Sequence, residues 1–158
     1  MIDGAALPSD RGRSMQLHGH CHCGNIAYTL AWEPDPIEIP ARACDCSFCT
    51  RHGAAWTSKP DGSLAVTVLE PALVNHYAFG TETADFHICV RCGVVPLVTC
   101  TVEERLYAVV NVNTLDGIDP AMLQHRPASF SEEGVASKLA RRQSNWIAHV
   151  SIIEGKQP

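Results

Sequence analysis

Short runs in which apolar and polar residues partly alternate, punctuated by turn residues, dominate the chain. Met15–His20 and Asn25–Trp32 flank Gly24 and predict two strands around a turn. Glu33-Pro34-Asp35-Pro36 ends the second strand, and residues 37–43 read as a connection into a cysteine-rich segment at 44–49. Ala54–Ser58 predicts another short strand, closed by the turn residues Lys59-Pro60-Asp61-Gly62. Val, Thr, Tyr, Phe and Ile recur at 64–69, 73–79, 84–89, 96–102 and 106–112, so five further strands are expected there. Helix signals are sparse. Asp119-Pro120 can cap and open a short helix, and Ser131–Gln143 has weak helical character interrupted by Gly134. The pattern predicts a mainly β, mostly antiparallel domain with little helix.

Length and composition narrow this further. At 158 residues the chain suits one domain, expected over 15–158, behind an N-terminal arm at 1–14 without periodicity. Its 46% hydrophobic content supports a core. A net charge of -5 without a basic run argues against broad nucleic-acid binding. No stretch approaches the roughly 18 apolar residues of a membrane span. The first residues lack the apolar segment of a secretory signal, so a reducing, cytoplasmic location is expected.

That location gives meaning to the 8 cysteines. Seven fall into three groups: Cys21-His22-Cys23-Gly24, Cys44-Asp45-Cys46-Ser47-Phe48-Cys49 and Cys89-Val90-Arg91-Cys92-Gly93. Cys21 and Cys23 on a strand would face one side, and a Cys-x-x-Cys-Gly turn converges two sulfurs, with Gly93 tolerating the backbone such a turn needs. Together the two groups offer four thiolates, the donor set of a closed structural zinc site. Cys44, Cys46 and Cys49 offer three, the pattern of a catalytic zinc with an open position, for two ions per chain. Other readings stand beside this one. The cysteines could form disulfides or an iron–sulfur site, His52 could close the triad as a fourth ligand, or Cys21 and Cys23 could join the middle group. Cys100, in an apolar run, reads as a buried thiol.

Taken in order, the three motifs resemble the glutathione-dependent formaldehyde-activating enzyme family, also called the centromere protein V family. Tyr77-Ala78-Phe79-Gly80 and Arg51-His52-Gly53-Ala54 look like family flanks, and the resemblance covers roughly residues 16–113. It implies an Mss4-like fold of packed antiparallel sheets. It also implies a structural zinc on Cys21, Cys23, Cys89 and Cys92, and a reactive zinc on Cys44, Cys46 and Cys49. The implied activity is that of a carbon–sulfur lyase making S-hydroxymethylglutathione from glutathione and formaldehyde.

On this reading a substrate thiol gives up its proton at the triad and attacks a small electrophile, with Arg51 placed to pair with a substrate carboxylate and His52 to act as general acid. The partners are then a small-molecule thiol and an electrophile, and a homo-oligomer is left open. Two competitors remain: another small substrate at the same open metal, or a non-catalytic zinc-stabilised binding module. Of the other polar residues, His18, His20 and His22 read as surface or supporting groups. His87 reads as packed or near the structural metal, and Asn111 and Asn113 as residues able to line a pocket.

Overall fold

The computed structural model describes residues 15–155; the arm expected at 1–14 lies outside them. The described chain runs β1 (Met15–His20), β2 (Ile26–Trp32), β3 (Ile39–Cys44), α1 (Ser47–His52), β4 (Trp56–Thr57), β5 (Ser63–Val68), β6 (Val74–Tyr77), β7 (Asp85–Cys89), β8 (Leu97–Val102), β9 (Arg105–Asn111), β10 (Leu123–Ala128), α2 (Val135–Asn145) and β11 (His149–Glu154). Two sheets result: a four-stranded one in the order β1-β2-β5-β11 and a seven-stranded one in the order β10-β3-β4-β9-β8-β7-β6. The fold is mainly β and antiparallel-rich, as the alternation predicts. Two pairings are parallel, β10 with β3 and β11 with β5.

Period-two alternation sorts the side chains into layers. Ile26, Tyr28, Leu30 and Trp32 of β2 and Leu64, Val66 and Val68 of β5 are buried and meet Leu97, Ala108 and Val110 of the larger sheet. Each such side chain contributes about 1.5–3 kcal/mol when fully buried. Leu97 belongs to β8 and Ala108 and Val110 to β9; the alternate residues of these two strands, Val98, Cys100 and Val102 of β8 and Tyr107 and Val109 of β9, face the other way. They join Cys49, Trp56, Phe86 and Trp146 in a second cluster. The larger sheet is therefore covered on both faces, by the small sheet on one and by α1 and α2 on the other. Gly19 sits opposite Tyr28 in the β1–β2 register, and a Cβ there would run into the Tyr28 ring. The ring is fixed in turn by a 2.8 Å hydrogen bond between Tyr28 Oη and Thr114 Oγ1.

The pattern reading missed four elements. β3 falls in the segment read as a connection, and α1, β10 and β11 had no prediction. The helix start at Asp119-Pro120 is a single 3-10 turn over Pro120–Met122, with Asp119 accepting from the Ala121 N–H at 2.9 Å. The weak signal at 131–143 resolves into α2, which begins one residue after Gly134.

Candidate metal centres and the cavity beside them

Two cysteine clusters form on opposite faces of the larger sheet. In the first, Cys21, Cys23, Cys89 and Cys92 bring their sulfurs within 4.8 Å of one another. Cys21 and Cys23 do not converge by strand alternation, because β1 ends at His20. They sit in the turn to β2, where the Gly24 N–H donates to the Cys21 carbonyl at 3.0 Å. Cys89 ends β7 and Cys92 follows in the next turn. That turn closes through the Gly93 N–H on the Cys89 carbonyl at 2.7 Å, with Gly93 at φ 79°, a left-handed conformation that a side chain would strain. Cys21–Cys23 and Cys23–Cys89 sulfur separations are 3.8 and 3.5 Å. A tetrahedral zinc with bonds near 2.3 Å places its sulfurs roughly 3.8 Å apart, so the donor set fits. Cys21 and Cys89 are fully buried while Cys92 is half-buried and Cys23 exposed, so the cluster reaches from the core between the sheets to the surface.

The second cluster is Cys44, Cys46 and Cys49, again with sulfurs within 4.8 Å. Cys44 is the last residue of β3, Cys46 caps α1, and Cys49 lies in the first turn of α1. The Cys46 sulfur accepts the Cys49 N–H at 3.4 Å, and Trp56 Nε1 donates to the Cys49 sulfur at 3.3 Å. Without a cation these thiols do not ionise alike. The hydrogen bond from the Cys49 thiol brings Cys44 down to about 6, while the same bond and burial raise Cys49. In the four-sulfur cluster burial pushes Cys21 up to about 12. For Cys92 burial also acts upward, but N–H groups of Val94 and Cys23 and the Cys89 thiol outweigh it and bring it down to about 6. Packed thiolates repel one another, and a bound cation removes that conflict.

The triad opens into a cavity of about 310 Å³. Trp56, Phe79, Phe86, Val98, Val109 and Trp146 give it apolar walls, and Arg42, Lys138, Arg141 and Arg142 give it a cationic one. The sequence reading missed these four basic residues: Arg42 lies in the unread strand β3 and the others on α2. Arg51 and His52, read as substrate-binding, do not line it. Arg51 is exposed and donates to the Ser47 carbonyl at 3.0 Å. His52 is exposed, with its ring 4.5 Å from that of Phe48.

The remaining polar candidates have structural partners. His87 is buried, with Nε2 2.8 Å from Thr99 Oγ1. His18 meets Thr29, and His20 lies 3.2 Å from the Asp116 carboxylate. Asn111 donates to the Val95 carbonyl and Asn113 to that of Gly53, and neither lines the cavity. Cys100 is a buried thiol, as its apolar run predicts, and accepts from Arg142 Nη1 at 3.5 Å.

No curated protein matches the chain. A crystal structure of a Rhodobacter sphaeroides protein is similar at 32% identity, covering 72% of this chain and 99% of that one, with a TM-score of 0.49. The family described as glutathione-dependent formaldehyde-activating enzyme matches residues 16–132, a span holding both clusters and the cavity residues Trp56, Phe79 and Phe86. By that match the chain belongs to the glutathione-dependent formaldehyde-activating enzyme family.

Proposed function

We propose that this chain is a zinc-dependent carbon–sulfur lyase that joins a thiol, glutathione by its family, to a small electrophile such as formaldehyde. One observation carries the reading: a cluster of three sulfurs, with the His52 ring packed on Phe48, opening into a cavity large enough for a small substrate. Four sulfurs between the sheets suit a closed structural site, and three on the outer face suit a reactive one. Zinc on Cys44, Cys46 and Cys49 would supply a position at which a substrate thiol loses its proton near neutral pH.

The chain's own residues do the rest. Trp56 Nε1 and the Cys49 N–H donate to the triad sulfurs and fix their direction. The aromatic and valine walls exclude water around the reacting atoms. Asp45, exposed on the cavity wall, is placed to pass the thiol proton toward solvent. The thiolate sulfur then forms a bond to the carbonyl carbon, the carbon–oxygen π pair moves to oxygen, and that oxygen takes up a proton. The proton lost by the thiol is balanced by the one gained at oxygen, so the addition leaves the net charge unchanged and needs no oxidant.

Exchange spectroscopy on carbon-13 formaldehyde and glutathione measures adduct formation directly. The zinc-loaded protein should speed it well above the spontaneous rate, and Cys46→Ser should abolish the gain while keeping the fold. A parent rate equal to the spontaneous one, across a panel of thiols and aldehydes, would leave a zinc-stabilised binding module as the better reading.

A further inference from the structure

The cationic wall of the cavity asks for a partner. Arg142 is only 8% exposed, yet it occupies an inward position of α2, three residues after Leu139 and four before Trp146. Its Nη1 donates to Thr83 Oγ1 at 2.7 Å and to the Cys100 sulfur, its Cζ lies 5.0 Å from the centre of the Trp146 ring, and its Nε is buried with no acceptor. Arg42 donates to the Ser58 hydroxyl at 2.7 Å. Among the described residues, Arg42, Lys138 and Arg142 have no carboxylate within ion-pair distance; Arg141 is paired with Glu133 at 3.0 Å. Among the described residues, the one acidic residue lining the cavity is the exposed Asp45. A buried guanidinium without a counter-ion is costly, and the same site becomes favourable when an anion enters.

We infer that Arg42 and Arg142 form a carboxylate subsite in this cavity, so that a substrate of the cysteine triad carries an anionic group. Two features set its chemistry. The guanidiniums are planar forks suited to a carboxylate, and the cavity that they share with the triad is otherwise lined largely by aromatic and aliphatic side chains. The favoured occupant is therefore a small organic acid whose apolar body spans from the cations to the sulfurs. Three of the four basic residues come from α2, which begins at Val135, after the family match ends at residue 132. The identity of the reacting group rests on the proposed chemistry at the triad; the anion subsite does not.

The zinc-loaded full chain can be titrated with 3-mercaptopropionate, its methyl ester and propionate, following the fluorescence of Trp56 and Trp146 in the cavity wall. The acid should bind at least about tenfold more tightly than the ester. That preference should fall to within about twofold in both Arg142→Gln and Arg42→Gln. Equal affinity for acid and ester in the parent overturns the subsite, and this comparison needs no variant to fold. So does a preference that survives both substitutions, or one lost in Arg51→Gln instead. Propionate binding without any response to thiols upholds the subsite while removing the thiol chemistry; an ester bound as tightly as the acid does the reverse. Glutathione displacing propionate assigns the carboxylate to the thiol partner, and simultaneous binding assigns it to the electrophile.

Discussion

At the scale of single residues, the triad owes its precision to groups that are not themselves metal ligands. Trp56 is buried and donates through Nε1 to the Cys49 sulfur, while its ring lies 6.0 Å from Phe86 in an edge-on contact. Trp56→Phe keeps an aromatic ring but removes the donor. A hydrogen bond to an ionised sulfur is worth about 1.5–3 kcal/mol, and loss of such outer partners typically costs about 10–100-fold in metal affinity. Competition with a chelator should therefore show the affinity of the triad falling by about that factor, with the four-sulfur cluster unchanged and the melting temperature only modestly lowered. Equal affinities in the two proteins would mean that the Cys49 sulfur needs no such support. The sequence placed Trp56 in the short strand expected at Ala54–Ser58, but nothing in it flagged a role beside Cys49, seven residues earlier. The cysteines were legible for the opposite reason, since ligand sets are written as spacing.

At the scale of elements, legibility followed alternation. β2 and β5 have alternating buried positions and were read almost to their ends. β3 has only Ile39 and Ala41 fully buried, with Pro40 between them and Arg42 after, so it looked like a connection. β10, Leu-Gln-His-Arg-Pro-Ala, is the edge strand of its sheet and carries Pro127, which an edge tolerates. Parallel pairing with β3 comes from distant chain and has no local signal. The cationic wall was hidden by the same effect, because its residues lie in β3 and in the weakly signalled α2. These two elements are joined through one hydroxyl: Ser58 Oγ accepts from Arg42 and donates to the Asn145 carbonyl at 2.6 Å. Ser58→Ala leaves both groups short of a partner. A loss of about 1–3 kcal/mol is expected on denaturant unfolding, together with faster amide exchange in the last turn of α2. Unchanged exchange there would show that α2 is held by Leu139, Arg142 and Trp146 without the Ser58 link.

At the scale of the whole molecule, the two clusters differ in what they hold together. Cys23 and Cys89 are 66 residues apart in sequence, and their cluster pins the β1–β2 turn of one sheet to the β7–β8 turn of the other. The triad spans six residues and ties one strand end to the helix that follows it. Metal in the first cluster therefore closes a long loop between two sheets, while metal in the second closes a short one within adjacent elements. Apparent binding free energies of structural zinc in small zinc domains run to about 10–16 kcal/mol, against total domain stabilities of about 5–15 kcal/mol. Losing the first ion thus removes a contribution comparable to the whole margin, whatever the apolar core supplies. Cys89→Ser should give a protein that is unfolded or melts far below the parent by circular dichroism. Cys46→Ser should melt within a few degrees of the parent and carry one zinc by elemental analysis where the parent carries two. A Cys46→Ser protein that unfolds beside a stable Cys89→Ser protein would exchange the structural and reactive roles of the two clusters. The cavity would then open onto a structural ion, and the lyase reading would lose its physical basis.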